Sequence, residues 1–489
     1  MGKIPTSKVQ ELVFAASDKK ESRRITALLK QKLIRKIAPR IYTSNLEEKP
    51  ASILKRNWYH LLAHLYPEAL LSHRSALEFK PTINGHIFLT YSYTSNVKLP
   101  GLNIHLLAGN GPVEGDNLFF ENLSAAQEAR AFLENLQESR KKGEESKTLS
   151  IKEIEERLEV IFRSRGEDGL NALRDKAKDI SRFLKMQKEF KKLNQIISAL
   201  LSTGKSKNLK SPVALARALG EPFDPDRIKL FEQLYGELAG KNFHIHKAIQ
   251  SSQHYKAFAF FEGYFSNYIE GTEFTVEEAK EIVFTKTPLP ARAEDSHDVL
   301  GTYRIVSNKK EMSVCPSSAN HFLDLLRTRH AVLLQARLSK KPGEFKDKNN
   351  RAGDSEFVDW RLVNGTLKKG FEWYSLLQNP FAKAVYMMFL VSEVHPFLDG
   401  NGRIARVMMN AELSSKGLSK IIVPTVYRED YMGALRKLTR QRIADPYIRM
   451  LGRAYDFSAT LRQNSIDEME GYLIKTDSFK EPKAGKLSF

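Results

Sequence analysis

Cysteine is almost missing from this chain: Cys315 is the only one in 489 residues. A single thiol excludes an internal disulfide framework and a cysteine-rich zinc site, and a reducing cytoplasm fits that usage. Long hydrophobic runs are missing as well. The longest clear one, Ala384 to Val391, falls well short of the roughly 18 residues that span a bilayer, so no membrane partner is expected. The N-terminus shows no apolar segment of the signal-peptide kind. Negative charge is in deficit: 58 Asp and Glu face 77 Lys and Arg, leaving a formal net charge of +19 and a pI of about 9.6. That excess points to an acidic partner, with nucleic acid first in line. No internal repeat is evident. An apolar content of 42% is ample for cores, and the length predicts two to four domains.

What is present is concentrated in nine residues, His395-Pro396-Phe397-Leu398-Asp399-Gly400-Asn401-Gly402-Arg403, with Arg406 three further on. Upstream, Asn379 to Val394 carries apolar residues at helical spacing, with Phe381, Val385, Met388 and Phe389 on one side. Pro396 disfavours helix for the residue before it, so that helix should stop near His395. Asn401 to Leu413 reads as a second helix, and Asp399-Gly400-Asn401-Gly402 as the tight loop that opens it. Backbone N–H groups at a helix start are unpaired. Glycines let an anion approach them, and the helix dipole favours negative charge there. Arg403 and Arg406 are three apart and should share one helix face, where guanidiniums bind phosphate oxygens bidentately. Asp399 can hold a hard cation such as Mg2+. His395 has an intrinsic pKa near neutrality and can take a proton from an attacking hydroxyl. Taken singly, each feature is ordinary: a turn, a histidine before proline, two solvated arginines. Their joint occurrence is not.

At these residues the chain resembles the Fic family, whose signature His-Pro-Phe-x-Asp/Glu-Gly-Asn-Gly-Arg-x-x-Arg is matched at every defined position. The resemblance implies a mostly helical enzyme that moves AMP from ATP to a hydroxyl of a target protein. His395 would then activate the target Ser, Thr or Tyr. Asp399 would hold Mg2+ on the α- and β-phosphates, and Gly400, Asn401 and Gly402 would form the anion cradle. Arg403 would hold the β-phosphate and Arg406 the γ-phosphate.

Ser266-Asn267-Tyr268-Ile269-Glu270-Gly271 looks like the inhibitory motif Ser/Thr-x-x-x-Glu-Gly/Asn of the same family. Ser266 and Glu270 are four apart and share a helix face, and Gly271 ends a helix naturally. By the resemblance, Glu270 pairs with Arg406 and holds ATP in a non-productive pose. The motif precedes the core, as in the self-inhibited class with an N-terminal inhibitory helix. Between the two motifs, Pro342 to Gly353 is rich in turn residues and Phe357-Val358 reads as a returning strand. Fic enzymes have a β-hairpin flap here that docks the target segment by strand addition. The sequence departs from the family pattern at Lys346, where arginine is common.

The first forty residues hold eleven Lys and Arg against three acids. Ser7 to Ala16 reads as a short helix, and Asp18 caps a second through Lys32. Leu33 to Ile37, a turn at Ala38-Pro39-Arg40, and Ile41 to Thr43 read as a hairpin. Helix, helix and basic wing is the order of a winged helix-turn-helix. Arg23, Arg24, Lys30, Lys36 and Arg40 would meet phosphates or bases of duplex DNA. A basic cap that docks protein is the competing reading. The stretch from Leu33 to about residue 110 resembles the N-terminal part of AbiEi-like antitoxins, which implies a DNA-binding regulator.

In the rest, Trp58 to Leu62 and Ser72 to Phe79 look helical, and Ile87 to Tyr91 and Leu102 to Leu107 look like strands. Residues 138–148 are charged and read as a linker or exposed loop. Thr203-Gly204-Lys205-Ser206 mimics a Walker A ending, but Ala199 stands where glycine is required, so it reads as a turn. His244 and His246 have no third ligand nearby, and a metal site is rejected there. The fold class expected is mostly α: an all-α Fic core with a β-hairpin flap, preceded by a winged helix-turn-helix and a small α+β unit. The expected boundaries are 1–48, 49–110, a helical connector at 150–240, and a Fic domain at 245–460 with its inhibitory helix at 252–270. The expected function is a cytoplasmic protein adenylyltransferase using ATP and Mg2+, self-inhibited by Glu270 and carrying a DNA-binding domain. Its target is another protein or itself, and a homodimer is compatible with the sequence. Two alternatives keep the same site: removal of AMP from a modified protein, and a transcription regulator that senses nucleotide.

Overall fold

The computed structural model describes residues 11–15, 18–204, 209–353 and 355–489. The chain forms two compact units, Met1–Leu219 and Gly220–Phe489.

The first unit opens on a small three-stranded sheet. Strand β1 (Leu12–Phe14) and strand β2 (Arg35–Ala38) flank β3 (Ile41–Thr43), both antiparallel to it. Between β1 and β2 runs the helix Lys19–Lys30, capped by the Asp18 carboxylate on Lys20 N. Its apolar residues Ile25 and Leu28 are buried, and Arg23, Arg24 and Lys30 are exposed. The basic hairpin is where the sequence suggests. The helix expected over Ser7 to Ala16 is not: among its described residues, Leu12–Phe14 is a strand. Its backbone is drawn into pairing with β3, with Leu12 opposite Thr43 and Phe14 opposite Ile41. The remainder of that expected helix lies outside the described residues. Among the described residues, the helix Lys19–Lys30 and the hairpin are present, and the segment before them is a strand.

A six-stranded mixed sheet follows, in the order β6-β7-β5-β4-β9-β8. Its strands are β4 (Leu70–Leu71), β5 (His86–Tyr91), β6 (Ser95–Leu99), β7 (Leu102–Ala108), β8 (Asn117–Phe120) and β9 (Leu123–Ala125). β5 and β7 are parallel neighbours with β6 antiparallel outside them, and the sheet runs past residue 110 through β8 and β9. Residues 138–148 pack as a loop: Arg74 reaches the Gly143 carbonyl at 2.9 Å and Ser146 is buried. The stretch from 150 to 240 is helical, but it divides. The helix Ile151–Phe183, broken at Gly166 where φ is +68°, belongs to the first unit. The helix Pro225–Ala239 buries Leu230, Phe231, Leu234 and Leu238 in the core of the second.

The second unit is built around the helix Pro380–Val394. Asn379 caps it through Phe381 N and Ala382 N. It is apolar on every side and nearly all buried, the signature of a central core helix. The helix Asn401–Ser414 packs against it. Around this pair stand Ser252–Ile269, Ala293–Val306, Ala319–Leu333, Val363–Leu376, Arg428–Gln441 and Asp445–Thr460. Ile466–Lys475 and Leu487 close the same core, so it continues past residue 460. The flap is a short antiparallel pair, β10 (Arg351–Ala352) with β11 (Ser355–Glu356). The returning strand lies two residues earlier than the expected Phe357-Val358. Val358 is fully buried and Phe357 lies against a histidine ring, so both side chains are taken by the core and the site.

Candidate functional site

The site lies where two helices meet. The central helix ends at Val394, and His395 adopts left-handed backbone at φ 52°. Gly400 is also left-handed, at φ 71°, and opens the next helix. Asn401 shapes the loop between them: its Oδ1 accepts from Phe397 N and its Nδ2 donates to Phe397 O, both at 2.8 Å. Its side chain is thereby spent on the loop's own backbone. Any anion-binding contribution from Asn401 therefore comes through its main chain. Gly402 lies directly under the Glu270–Arg406 pair. A Cβ there would collide with the Glu270 carboxylate and crowd Arg406.

His395 is enclosed. Phe357 stacks on its ring at 3.6 Å between centroids with planes 6° apart. Nδ1 lies 3.3 Å from the Ser392 carbonyl. A carbonyl only accepts, so Nδ1 carries the proton and Nε2 keeps its lone pair. Burial lowers the His395 pKa to about 4, and the nearby Lys346 cation pushes the same way. The ring is neutral at pH 7 and able to accept a proton. Asp399 is half-buried, and its Oδ1 accepts from Gly400 N at 2.6 Å. Lys340 stands 3.9 Å from one of its oxygens and Arg403 3.7 Å from the other. The carboxylate is open to a hard cation that would keep most of its waters.

The two arginines diverge. The i,i+3 spacing suggests one shared anion, but each guanidinium is held by different groups. Arg403 donates through Nη1 to Asp298 at 2.6 Å and to Asn267 at 3.3 Å. Arg406 donates through Nε to Ser266 Oγ at 3.0 Å, through Nη2 to the Ser266 carbonyl at 2.8 Å, and through Nη1 to the Tyr431 hydroxyl at 3.3 Å. Its Nη2 also meets Glu270 Oε1 at 2.8 Å. Burial pushes the Glu270 carboxyl up, but the Arg406 guanidinium outweighs it, and the group stays below the ordinary carboxylate range. Glu270 caps the 252–269 helix and Gly271 follows at φ 88°. Its side chain remains 31% exposed, whereas Arg406 is buried. Ser266 and Glu270 therefore grip one guanidinium, from positions 140 and 136 residues up the chain.

The flap is bonded to the loop after the central helix through Lys346 and Asn350. Lys346 N donates to Pro396 O at 2.8 Å, and Lys346 Nζ donates to Asn350 Oδ1 at 2.7 Å. Asn350 Nδ2 donates in turn to Phe397 O at 2.9 Å. Lys346 is almost wholly buried, and burial lowers its pKa to about 8. His330 is a second enclosed histidine. Gly343 N donates to its Nδ1, and its Nε2 faces the Asp399 carbonyl, both at 3.0 Å. Phe397 stacks on the ring at 3.7 Å. Those partners require the neutral Nε2–H tautomer, and burial holds its pKa at about 4. His330, Asp298 and Tyr431 have no local sequence signal, because each joins the site from a distant helix. Among the described residues no group of three or more His, Cys, Asp or Glu side chains could hold a metal ion together. His246 pairs with Asp456 at 2.8 Å. The turn at Thr203 and Gly204 follows a helix, and Lys205 and Ser206 lie outside the described residues. No helix among the described residues is long and apolar enough to cross a membrane.

A loop opening one helix, a histidine ending another and an acid paired with an arginine meet at one place in a helical domain. Residues 321–413 match the model of the Fic/DOC family, and the chain carries a Fic domain. The chain is 27% identical over 248 residues to "Protein adenylyltransferase Fic" of Nematostella vectensis, covering 48% of this chain and 53% of the relative. It is 25% identical over 248 residues to the protein of the same name from Drosophila persimilis, covering 48% and 47%. The chain thus spans about half the length of these curated relatives. Among solved structures, a Fic domain containing signaling protein from Bacteroides thetaiotaomicron is 20% identical, with a TM-score of 0.38, covering 50% of this chain and 97% of that one. The helix that carries Glu270 lies outside the matched segment.

Proposed function

We propose that this chain is a protein adenylyltransferase that moves AMP from ATP to a hydroxyl side chain, and that Glu270 holds it in check. The observation that carries the reading is the Glu270–Arg406 pair at 2.8 Å, seated on Gly402 at the opening of the anion loop. The names of the relatives above support the reaction class. In this reading His395 Nε2 takes the proton of the target hydroxyl. Asp399 would hold Mg2+ against the α- and β-phosphates, and its exposed carboxylate suits that ion. The backbone of Gly400, Asn401 and Gly402 cradles the phosphates. Arg403 meets the β-phosphate and Arg406, once freed, the γ-phosphate. A carboxylate already on Arg406 cancels the charge the γ-phosphate needs and repels that phosphate in a partly buried pocket.

The N-terminal unit is proposed to bind duplex DNA through Arg23, Arg24, Lys30, Lys36 and Arg40. All five are exposed on one helix and the adjoining hairpin.

Mass spectrometry of the full chain after incubation with ATP and Mg2+ tests the reading. Glu270→Gly should raise automodification on the order of 10²-fold by restoring in-line positioning, and Arg406→Ala in that background should abolish the gain. Equal or lower transfer in Glu270→Gly, with AMP released from a modified protein by the wild type, would move Glu270 to the removal reaction instead.

A further inference from the structure

Arg403 is held by a device separate from the brake on Arg406. Asp298, on the helix Ala293–Val306, is fully buried. One of its oxygens, Oδ2, serves two guanidiniums: Arg403 Nη1 at 2.6 Å and Arg337 Nε at 2.8 Å. Arg337 is itself held on its outer side by Asp295 at 2.6 Å and Glu294 at 3.0 Å. It bridges a surface acidic pair to a carboxylate in the core. The Nε of Arg403 is buried and has no hydrogen-bond partner, and its Nη2 comes no nearer to a carboxylate than 3.7 Å from Asp399. An unpaired N–H on a buried cation is costly. It is retained here beside the start of an anion-binding helix.

We infer that Asp298, backed by Arg337, is a positioning residue that fixes Arg403 so that its unpaired N–H groups receive the β-phosphate. This deepens the proposed function and rests on its reading of Arg403. The contrast with Glu270 sets the role. Glu270 is a third exposed, sits at a helix end and gives its bond to a single arginine, so it can leave. Asp298 has no exposed surface and shares one oxygen between two arginines, so it cannot leave without depriving the buried Arg403 of its closest carboxylate. A group that must move is a brake, and one that cannot is a mount. Asn267 adds a weaker contact from the inhibitory helix, at 3.3 Å. The mount survives if that helix shifts.

The measurement is the affinity of the full chain for ADP and for AMP, each with Mg2+, by calorimetry. The two ligands differ by the β-phosphate alone. Wild type should bind ADP more tightly than AMP. Asp298→Asn keeps the shape and removes the charge. It should weaken ADP on the order of tenfold, the scale of a charge-assisted contact, and leave AMP binding unchanged. A merely structural role would lower both affinities together. Asp298→Glu, which keeps the charge but displaces it by one methylene, should show the same selective loss and serves if the Asn variant does not fold. A wild-type preference for ADP that persists in both variants overturns the inference alone. No preference in the wild type overturns the reading of Arg403, and the inference with it.

Discussion

His395 shows how far burial can shift a residue from its ordinary value in water. Its intrinsic proton affinity suggests a group half-charged near pH 6.5, but enclosure under Phe357 holds it at about 4. The imidazole is then neutral throughout the physiological range. His395→Ala should cost transfer about 10²–10⁴-fold while leaving ATP binding nearly intact, because the loop, Arg403 and Arg406 remain. Wild-type automodification by that variant would remove His395 from the role of base. Phe357→Ala opens the ring to water, so the acid limb of the kcat/KM profile should move up from near 4 toward 6.5. An unmoved limb would assign the depression to another neighbour. His330 and His395 also tie stability to pH. Both resist protonation in the fold, at about 4, that the unfolded chain accepts near 6.5. Their stabilisation is complete above about 6.5 and drains away as pH falls toward 4. Thermal melts across that interval should show the decline, and His330→Gln should flatten it.

At the scale of elements, the helices of the Fic core were legible because their causes are local. Asn379 caps one helix, Pro396 and a left-handed His395 end it, and Gly400 opens the next. The helix Ser252–Ile269 carries Ser266 and Glu270 four apart, a spacing that places both on one guanidinium. The flap was legible only as a turn-rich stretch, since its strands are two residues each and owe their place to Lys346 and Asn350. Asn350→Ala leaves the buried Lys346 ammonium without its partner and removes one of the two donors to the Phe397 carbonyl. It should lower stability by about 1–3 kcal/mol and reduce transfer to a target protein. Denaturant melts and target labelling measure the two effects, and an unchanged midpoint would show that the flap is held elsewhere. The strand at Leu12–Phe14 was misread as helix because its pairing partner, β3, lies about thirty residues away.

For the whole molecule, the two units carry different chemistry. The basic surface of the helix Lys19–Lys30 and its hairpin is exposed, with Arg24 engaged by Glu21 at 3.2 Å in a surface pair worth little. In gel shifts the full chain should retain duplex DNA at low salt and lose it steeply as salt rises, by recapture of counterions. Replacing Arg23 and Arg24 by Ala should lower affinity and reduce the log–log salt slope by about two. An absent shift at low salt would turn this unit toward protein docking.

The sequence by itself determined the helical class, the tight loop with its histidine and acid, and the Ser-x-x-x-Glu pair, because spacing within a few residues and turn chemistry settle those. It also determined the absence of disulfides, through a single cysteine. Only the tertiary structure decided that Arg403 and Arg406 part company, one to Asp298 and one to Glu270. It alone drew Pro225–Ala239 into the core of the second unit, and it alone enclosed His395 and His330. Charge pairing and burial depend on which distant helix packs where, and no local pattern encodes that.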